Sequence, residues 1–233
     1  MKYKKIALVM AMHEEALPII DYFGLEKVSS NFYPIEIYTN KNESLILSLN
    51  GKSEEYKVDN IGSQAATLNT FVVINNFKPN IVINCGTAGC FSSKKAKIGD
   101  VYIAQDKVIY HDRRISIPGG YSEYGMGSYK VIDSYDISKK FGLKQGLIST
   151  GDSFDLSDED MRIMTDNNVD IKEMEAAAVA WVCSLHNTDF TAIKAVTDFV
   201  DLPETTSELF LKNMELAAGN LRNKIVDIIE YLL

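Results

Sequence analysis

The sequence predicts one α/β domain, and three observations carry that expectation. Short apolar runs alternate along the chain with longer segments of helical periodicity, the pattern of strands covered by helices. At 233 residues the chain fits a single core, since α/β folds reach about 200–250 residues before dividing. Neither an internal repeat nor a Pro/Ser-rich linker breaks the series, so residues 1–233 read as one domain.

From the N-terminus, Lys5–Met12 (KIALVMAM) is a short apolar run suited to a buried strand, ended by the charged cluster His13-Glu14-Glu15 that starts a helix. That helix carries Leu17, Ile20 and Tyr22 to about Phe23. Ile35–Thr39 and Leu45–Leu49 flank the turn-like pair Lys41-Asn42 and predict a hairpin or meander. Ile61–Asn76 reads as a helix. Pro79 then punctuates before Asn80–Cys85 (NIVINC), a near-continuous apolar strand of a sheet covered on both faces, which runs directly into Gly86-Thr87-Ala88-Gly89. Further strands are expected at Val101–Tyr110, Gly146–Thr150 and Phe190–Val196. An apolar helix is expected over Glu173–Asn187 and a long closing helix over Glu204–Leu232.

Composition narrows the function classes. Hydrophobic residues at 46% and charged residues at 24% fit a globular core and not a disordered or fibrous chain. The net charge of −8, with Lys and Arg scattered, disfavours nucleic acid or an anionic membrane as partner and suits a small neutral or cationic ligand. The N-terminal apolar run is cut short by His13, Glu14 and Glu15, and no stretch approaches the roughly 18 apolar residues of a membrane span. Three cysteines, Cys85, Cys90 and Cys183, give no disulfide framework and point to a reducing cytoplasm. With three histidines and no His/Cys cluster, no metal site is expected.

Ligands of such sheets sit beyond the carboxyl ends of the strands. Small or acidic clusters follow the strong strands there: Met12-His13-Glu14-Glu15, Gly86-Thr87-Ala88-Gly89, Thr150-Gly151-Asp152-Ser153 and Thr197-Asp198. Each has an ordinary reading beside a functional one. The glycine pair fits any tight turn and matches neither GxGxxG nor GxxxxGK[ST]. Glu173 and Glu175, opening a helix, either complement its dipole or accept hydrogen bonds from ligand hydroxyls. Asp198 is either a turn residue or an acid whose burial beside an apolar base keeps it protonated.

Read together, the clusters resemble the methylthioadenosine/S-adenosylhomocysteine nucleosidase family, within the purine nucleoside phosphorylase superfamily, over nearly the whole chain. The matching stretches are AMHEEA (11–16), VDNIGSQAAT (58–67), KPNIVINCGTAG (78–89), IGDVYIAQDKVIYHDRRISIP (98–118), STGDSFDLS (149–157), KEMEAAAVA (172–180) and KAVTDFVD (194–201). HDRRISIP, STGDSFD and the extra residues before Ile61 look closest to the plant-type branch.

The resemblance implies a three-layer α/β/α domain with a mixed, partly barrel-like central sheet, no metal or organic cofactor, and a homodimer. The implied activity is hydrolysis of the adenine–ribose bond of methylthioadenosine, and with it that of S-adenosylhomocysteine. Residue by residue, Glu15 matches the acid that activates water and Asp198 the acid that protonates adenine. Glu175 matches the ribose-hydroxyl ligand, beside Glu173. Met174 and Met12 match residues packed at the ribose and the water site, Thr87 the hydroxyl position near the anomeric centre, and Gly89 and Thr197 further substrate-binding positions. Phe154 matches the ring stacked on adenine. Asp155 departs from the bacterial pattern, and its side chain can accept from the exocyclic amine. Ile115, Ile117, Pro118 and Tyr124 match a region that reaches a neighbouring subunit's pocket, with ordinary packing as the alternative. Further departures are His13 in place of an acid, Lys194 in place of an arginine, and Cys90 after the glycine pair.

Two rival functions are compatible with parts of the sequence. A purine nucleoside phosphorylase is kept open by Arg113-Arg114, which can hold phosphate bidentately, and opposed by the charge of Glu15. A catalytically silent nucleoside-binding relative is opposed by the joint presence of Glu15, Glu175 and Asp198.

Overall fold

The computed structural model describes residues 2–29, 32–202 and 206–233. Its centre is one ten-stranded mixed sheet. Strands β1 (Ile6–Met10), β4 (Leu45–Leu49), β5 (Ile81–Cys90) and β10 (Asp189–Phe199) run parallel as neighbours in the order β4-β1-β5-β10. β2 (Glu26–Lys27) and β3 (Glu36–Thr39) extend that edge antiparallel, which makes β3 and β4 the expected hairpin. β6 (Val101–Tyr110) pairs antiparallel with β10, β8 (Lys144–Thr150) parallel with β6, and β9 (Ile171–Glu173) parallel with β8 and antiparallel with β5. Because β10 also pairs with β5, the strands β10-β6-β8-β9-β5 close on themselves as a barrel. The short β7 (Tyr129–Lys130) pairs with β6.

Period-two alternation splits the core into two layers. Ala7, Val9, Ile46 and Val82 face α2 (Ser63–Phe77) and α6 (Ala176–His186), whereas Ile6, Leu8, Leu47 and Ile83 face α1 (His13–Phe23) and α7 (Thr206–Leu232). Burial on both faces is why these strands read as continuous apolar runs. The result is the three-layer domain with a partly closed sheet.

Several boundaries differ from the sequence expectation. β5 does not stop at Cys85 but continues through Gly86-Thr87-Ala88-Gly89, and β10 continues through Thr197 and Asp198, so both clusters are strand and not loop. Long-range pairing between the two strands extends them, a signal that local sequence lacks. The expected helix from Glu173 begins at Ala176: Glu173 ends β9 and Glu175 occupies the N-cap position. In α1 the buried residues are Glu15, Ala16, Ile19 and Ile20, and Leu17 and Tyr22 are exposed. The expected start of the closing helix at Glu204 lies outside the described residues. Three further helices, α3 (Tyr121–Met126), α4 (Tyr135–Phe141) and α5 (Asp158–Asp166), were not anticipated. Of these α5 carries a readable signal, the reciprocal capping box of Ser157 and Asp160.

Candidate active site

At the carboxyl ends of β1, β5 and β10 lies a cavity of about 710 Å³, within the range of about 300–1,000 Å³ typical of small-molecule sites. It brings together Met12, Glu15, Thr87 and Gly89 from the first half of the chain. Phe154, Glu173, Met174, Glu175, Thr197 and Asp198 join them from the second.

Glu15 sits in the first turn of α1, directly after β1, and is 3% exposed. Its Oε1 accepts from the Thr87 backbone N–H at 2.8 Å and the Thr87 hydroxyl at 2.6 Å. A Cβ on Gly86 would come within 3.1 Å of its Oε2, so the glycine makes room for the carboxylate. Burial pushes the Glu15 carboxyl above its usual range, opposed by the Thr87 hydrogen bonds and the charge of Lys194.

Behind the floor, Lys194 is 1% exposed, and its ammonium lies 2.8 Å from Glu173 Oε2 and 3.9 Å from Glu175 Oε2. Burial works to lower the Lys194 pKa, but Glu173, Glu175 and Glu15 outweigh it and raise the value. Glu173 is heavily engaged. Besides Lys194, its carboxylate accepts from the Thr150 hydroxyl and from the backbone N–H groups of Glu175 and Ala176, so it caps the first turn of α6. Glu175 makes fewer bonds: Oε1 accepts from the Gly62 N–H at 2.9 Å. Burial, with the neighbouring Glu173 charge, pushes its carboxyl up to about 7 against the pull of Lys194.

Asp198 is 2% exposed and reaches the cavity through a bulge in β10. The register shift between Val196 and Asp198 makes Thr197 the extra residue and pairs Asp198 with Gly89. Its Oδ1 accepts from the Thr197 hydroxyl at 2.7 Å. Burial pushes the Asp198 carboxyl up, opposed by that hydrogen bond and by the charge of Lys172. Beside the buried Glu173, the site therefore offers three buried carboxyls on separate elements, Glu15, Glu175 and Asp198, each pushed up by burial.

The chain matches the family model described as the phosphorylase superfamily over residues 5–230. It is 36% identical to a 5'-methylthioadenosine nucleosidase of Arabidopsis thaliana, across 97% of this chain and 86% of that protein. It is 30% identical to a 5'-methylthioadenosine/S-adenosylhomocysteine nucleosidase of Haemophilus influenzae, across 98% and 100%. The solved apo structure of the Arabidopsis thaliana 5'-methylthioadenosine nucleosidase superposes with a TM-score of 0.95 at 35% identity, across 100% of this chain and 97% of that one. The chain belongs to the methylthioadenosine/S-adenosylhomocysteine nucleosidase family.

Other residues singled out in the sequence of this family member lie elsewhere. Asp155 is exposed and is not among the residues lining the cavity. Ile115, Ile117, Pro118 and Tyr124 also lie outside it, and Ile117 and Tyr124 are large exposed apolar groups. The arginine pair is engaged in packing. Arg113 donates to the carbonyls of Gly125 and Tyr124 and to the Tyr129 hydroxyl, with its guanidinium 4.1 Å from the Tyr110 ring centroid. Arg114 pairs with Asp160 and donates to the His111 carbonyl.

Sequence reasoning missed Lys172, which lines the cavity, and the mouth residues Val58, Asp59, Ile61 and Leu211. Phe210 and Val200 line it too. A lysine between two strand residues carries no local signature of a site. Only the closure of the barrel turns it inward.

Proposed function

We propose that the chain hydrolyses the N-glycosidic bond of 5′-methylthioadenosine, and with it that of S-adenosylhomocysteine, releasing adenine. The observation that carries this reading is the pair of buried carboxyls, Glu15 and Asp198, raised by burial and lining one cavity from separate elements. Cleavage of an N-glycoside passes through an oxocarbenium-like transition state, which needs a protonated leaving base and an activated water. In this scheme Asp198, whose neutral form burial favours, gives its proton to N7 as the C1′–N9 electron pair leaves with the purine. Glu15 orients the water whose oxygen bonds to C1′, and takes its proton.

Glu175 accepts from the ribose hydroxyls, and those bonds strengthen as positive charge grows on the sugar, favouring the transition state over the ground state. Glu173 accepts from the Glu175 backbone N–H and fixes it, and Lys194 supplies the positive charge that favours the ionised form of the neighbouring carboxyls. Glu173 thus supports the site without spare acceptor capacity for a ligand.

The phosphorylase alternative loses its main support, since Arg113 and Arg114 are bound to the chain itself and neither lines the cavity. Glu15 would also place a buried carboxylate beside the phosphate. Adenine release measured with and without phosphate tests the reading. Phosphate-independent release is expected, and release only with phosphate, or tight binding without release, overturns it.

Beyond C5′, the apolar side chains of Val58, Ile61, Phe210 and Leu211 suit a methylthio group. A homocysteine tail would have to use the mouth charges, where Lys52 and Asp59 already face each other at 4.0 Å. Methylthioadenosine is therefore the better substrate in this reading, and kcat/KM values within about tenfold of each other overturn that preference. The chain further acts as a homodimer in the cytoplasm. The exposed Ile117 and Tyr124 support the first statement, and the three buried free cysteines the second. Among the described residues no helix is long and apolar enough to cross a membrane. Sedimentation at micromolar concentration checks the dimer.

A further inference from the structure

Lys172 is a buried lysine that the scheme above leaves without a part. It stands in the middle of β9, paired with Gly89 of β5 on one side and Ser149 of β8 on the other. Alternation along β9 sends Ile171 into the core and Lys172 to the opposite face, where it lines the cavity while only 5% exposed. Among the described residues its ammonium has no ion-pair partner. It donates to two successive carbonyls, Ser153 at 2.7 Å and Phe154 at 2.8 Å, and stands 5.9 Å from the Phe154 ring centroid. The third N–H has no partner among the described residues.

Ser153 and Phe154 belong to a strap that is neither helix nor strand, so their carbonyls need donor partners from elsewhere. The same strap carries the Phe154 ring, 41% exposed, edge-on to Phe210 of α7 at 5.6 Å. We propose that Lys172 is a positioning residue for the purine end of the cavity, fastening the Ser153–Phe154 strap so that the Phe154 ring is held as a wall for a planar base.

A purely structural role accounts poorly for this lysine. Burying an ammonium without a counter-ion works against the fold, and two neutral carbonyls offset that only in part. Burial accordingly lowers the Lys172 pKa. A methionine of similar length would leave the fold at least as stable while releasing the strap. The charge also faces the site: Asp198 from β10, Asp155 from the strap, Asp160 from α5, Glu173 from its own strand and His111 after β6 all lie in its field. Of these, Asp198 is the proposed proton donor, and the lysine opposes its upward shift.

The inference rests on the proposed function for the identity of the base, and the test separates the two. Adenine affinity by calorimetry, KM and kcat for methylthioadenosine, thermal stability and the pH profile are compared for wild type, K172M and K172R. For K172M the expected result is an adenine Kd and a KM raised about tenfold, with kcat within about threefold and no loss of thermal stability. The alkaline limb of kcat/KM should move upward, because the cation holding the Asp198 value down is gone. K172R, which keeps charge and donors, should restore most of the affinity. Unchanged adenine affinity and an unmoved alkaline limb in K172M overturn the proposal. A K172M chain that fails to fold also overturns it, by making the lysine structural. If wild type releases no adenine, the functional reading fails, while the adenine affinities still judge Lys172.

Discussion

Gly89→Ala tests whether the geometry around Asp198, and not merely its presence, sets the rate. A Cβ at this position would lie 2.5 Å from Val200 Cγ1 and 2.7 Å from Asp198 Oδ2. Carbon contacts are ordinarily about 3.5–4.0 Å, so clearing both takes about 1 Å of movement. The strand backbone has little room to retreat, because Gly89 is paired with Asp198 on one side and Lys172 on the other. The Asp198 carboxyl and Val200 are therefore what move.

The energetic consequences can be weighed separately. Gly89 has no positive φ, so alanine by itself would favour the strand by about 0.5–1 kcal/mol. Overpacking costs about 1–3 kcal/mol. The net loss is about 0.5–2 kcal/mol, which for a domain of this size lowers Tm by about 1–8 °C. Misplacing a reacting group by about 1 Å costs on the order of a hundredfold in rate. Activity should thus fall far more than stability, read as adenine release at 25 °C alongside a thermal melt. Gly86→Ala is the graded control, since its Cβ would stand 3.1 Å from Glu15 Oε2 and needs only a few tenths of an ångström, for a loss of about tenfold at most. A Gly89→Ala enzyme within about threefold of wild type, or one that loses rate only in proportion to folded fraction, refutes the reasoning.

Three further outcomes are expected. Asp198→Asn should keep the fold and nucleoside binding and lose about a hundredfold or more in kcat, with near-normal turnover as the contrary result. Glu15→Gln should abolish hydrolysis while sparing binding, whereas Glu175→Gln should weaken both, and 2′-deoxy substrates should be insensitive to the Glu175 change. Equal losses for ribo and deoxy substrates would remove Glu175 from the ribose. Because the Glu175 carboxyl titrates at about 7 in the folded chain, kcat/KM for ribonucleosides should drop as pH falls below 7. Its contribution to stability has the opposite sense: the folded state binds that proton more tightly than the unfolded chain, so the contribution is fully present below the ordinary carboxylate range and is lost as pH rises through about 7. A thermal melt series comparing wild type with Glu175→Gln shows this as a wild-type deficit appearing on the alkaline side.

What the sequence by itself determined is whatever depends on local pattern. The apolar runs of β1, β4, β5 and β10 are legible because strands buried on both faces need apolar residues at every position, and α2 and α7 because helices must present a periodic face. Ordered motifs carried the family, and with it the carboxyls Glu15, Glu175 and Asp198 that the cavity assembles, but not Lys172 or the mouth residues. Tertiary structure decided the rest. Gly86–Gly89 and Thr197–Asp198 look like loops because glycine and aspartate are poor strand formers, yet pairing between β5 and β10 draws them into strand, and a bulge sets Asp198 opposite Gly89. Glu173 and Glu175 look equivalent in EME, but the end of β9 turns one toward Lys194 and the N-terminus of α6 and leaves the other with the Gly62 N–H and a longer contact to Lys194. Arg113 and Arg114 look like an anion site until the chain supplies their partners. Pairs such as Gly89 with Asp198, Glu173 with Lys194 and Arg114 with Asp160 are distant in sequence, and a charged side chain's role follows from the partners that the fold brings to it.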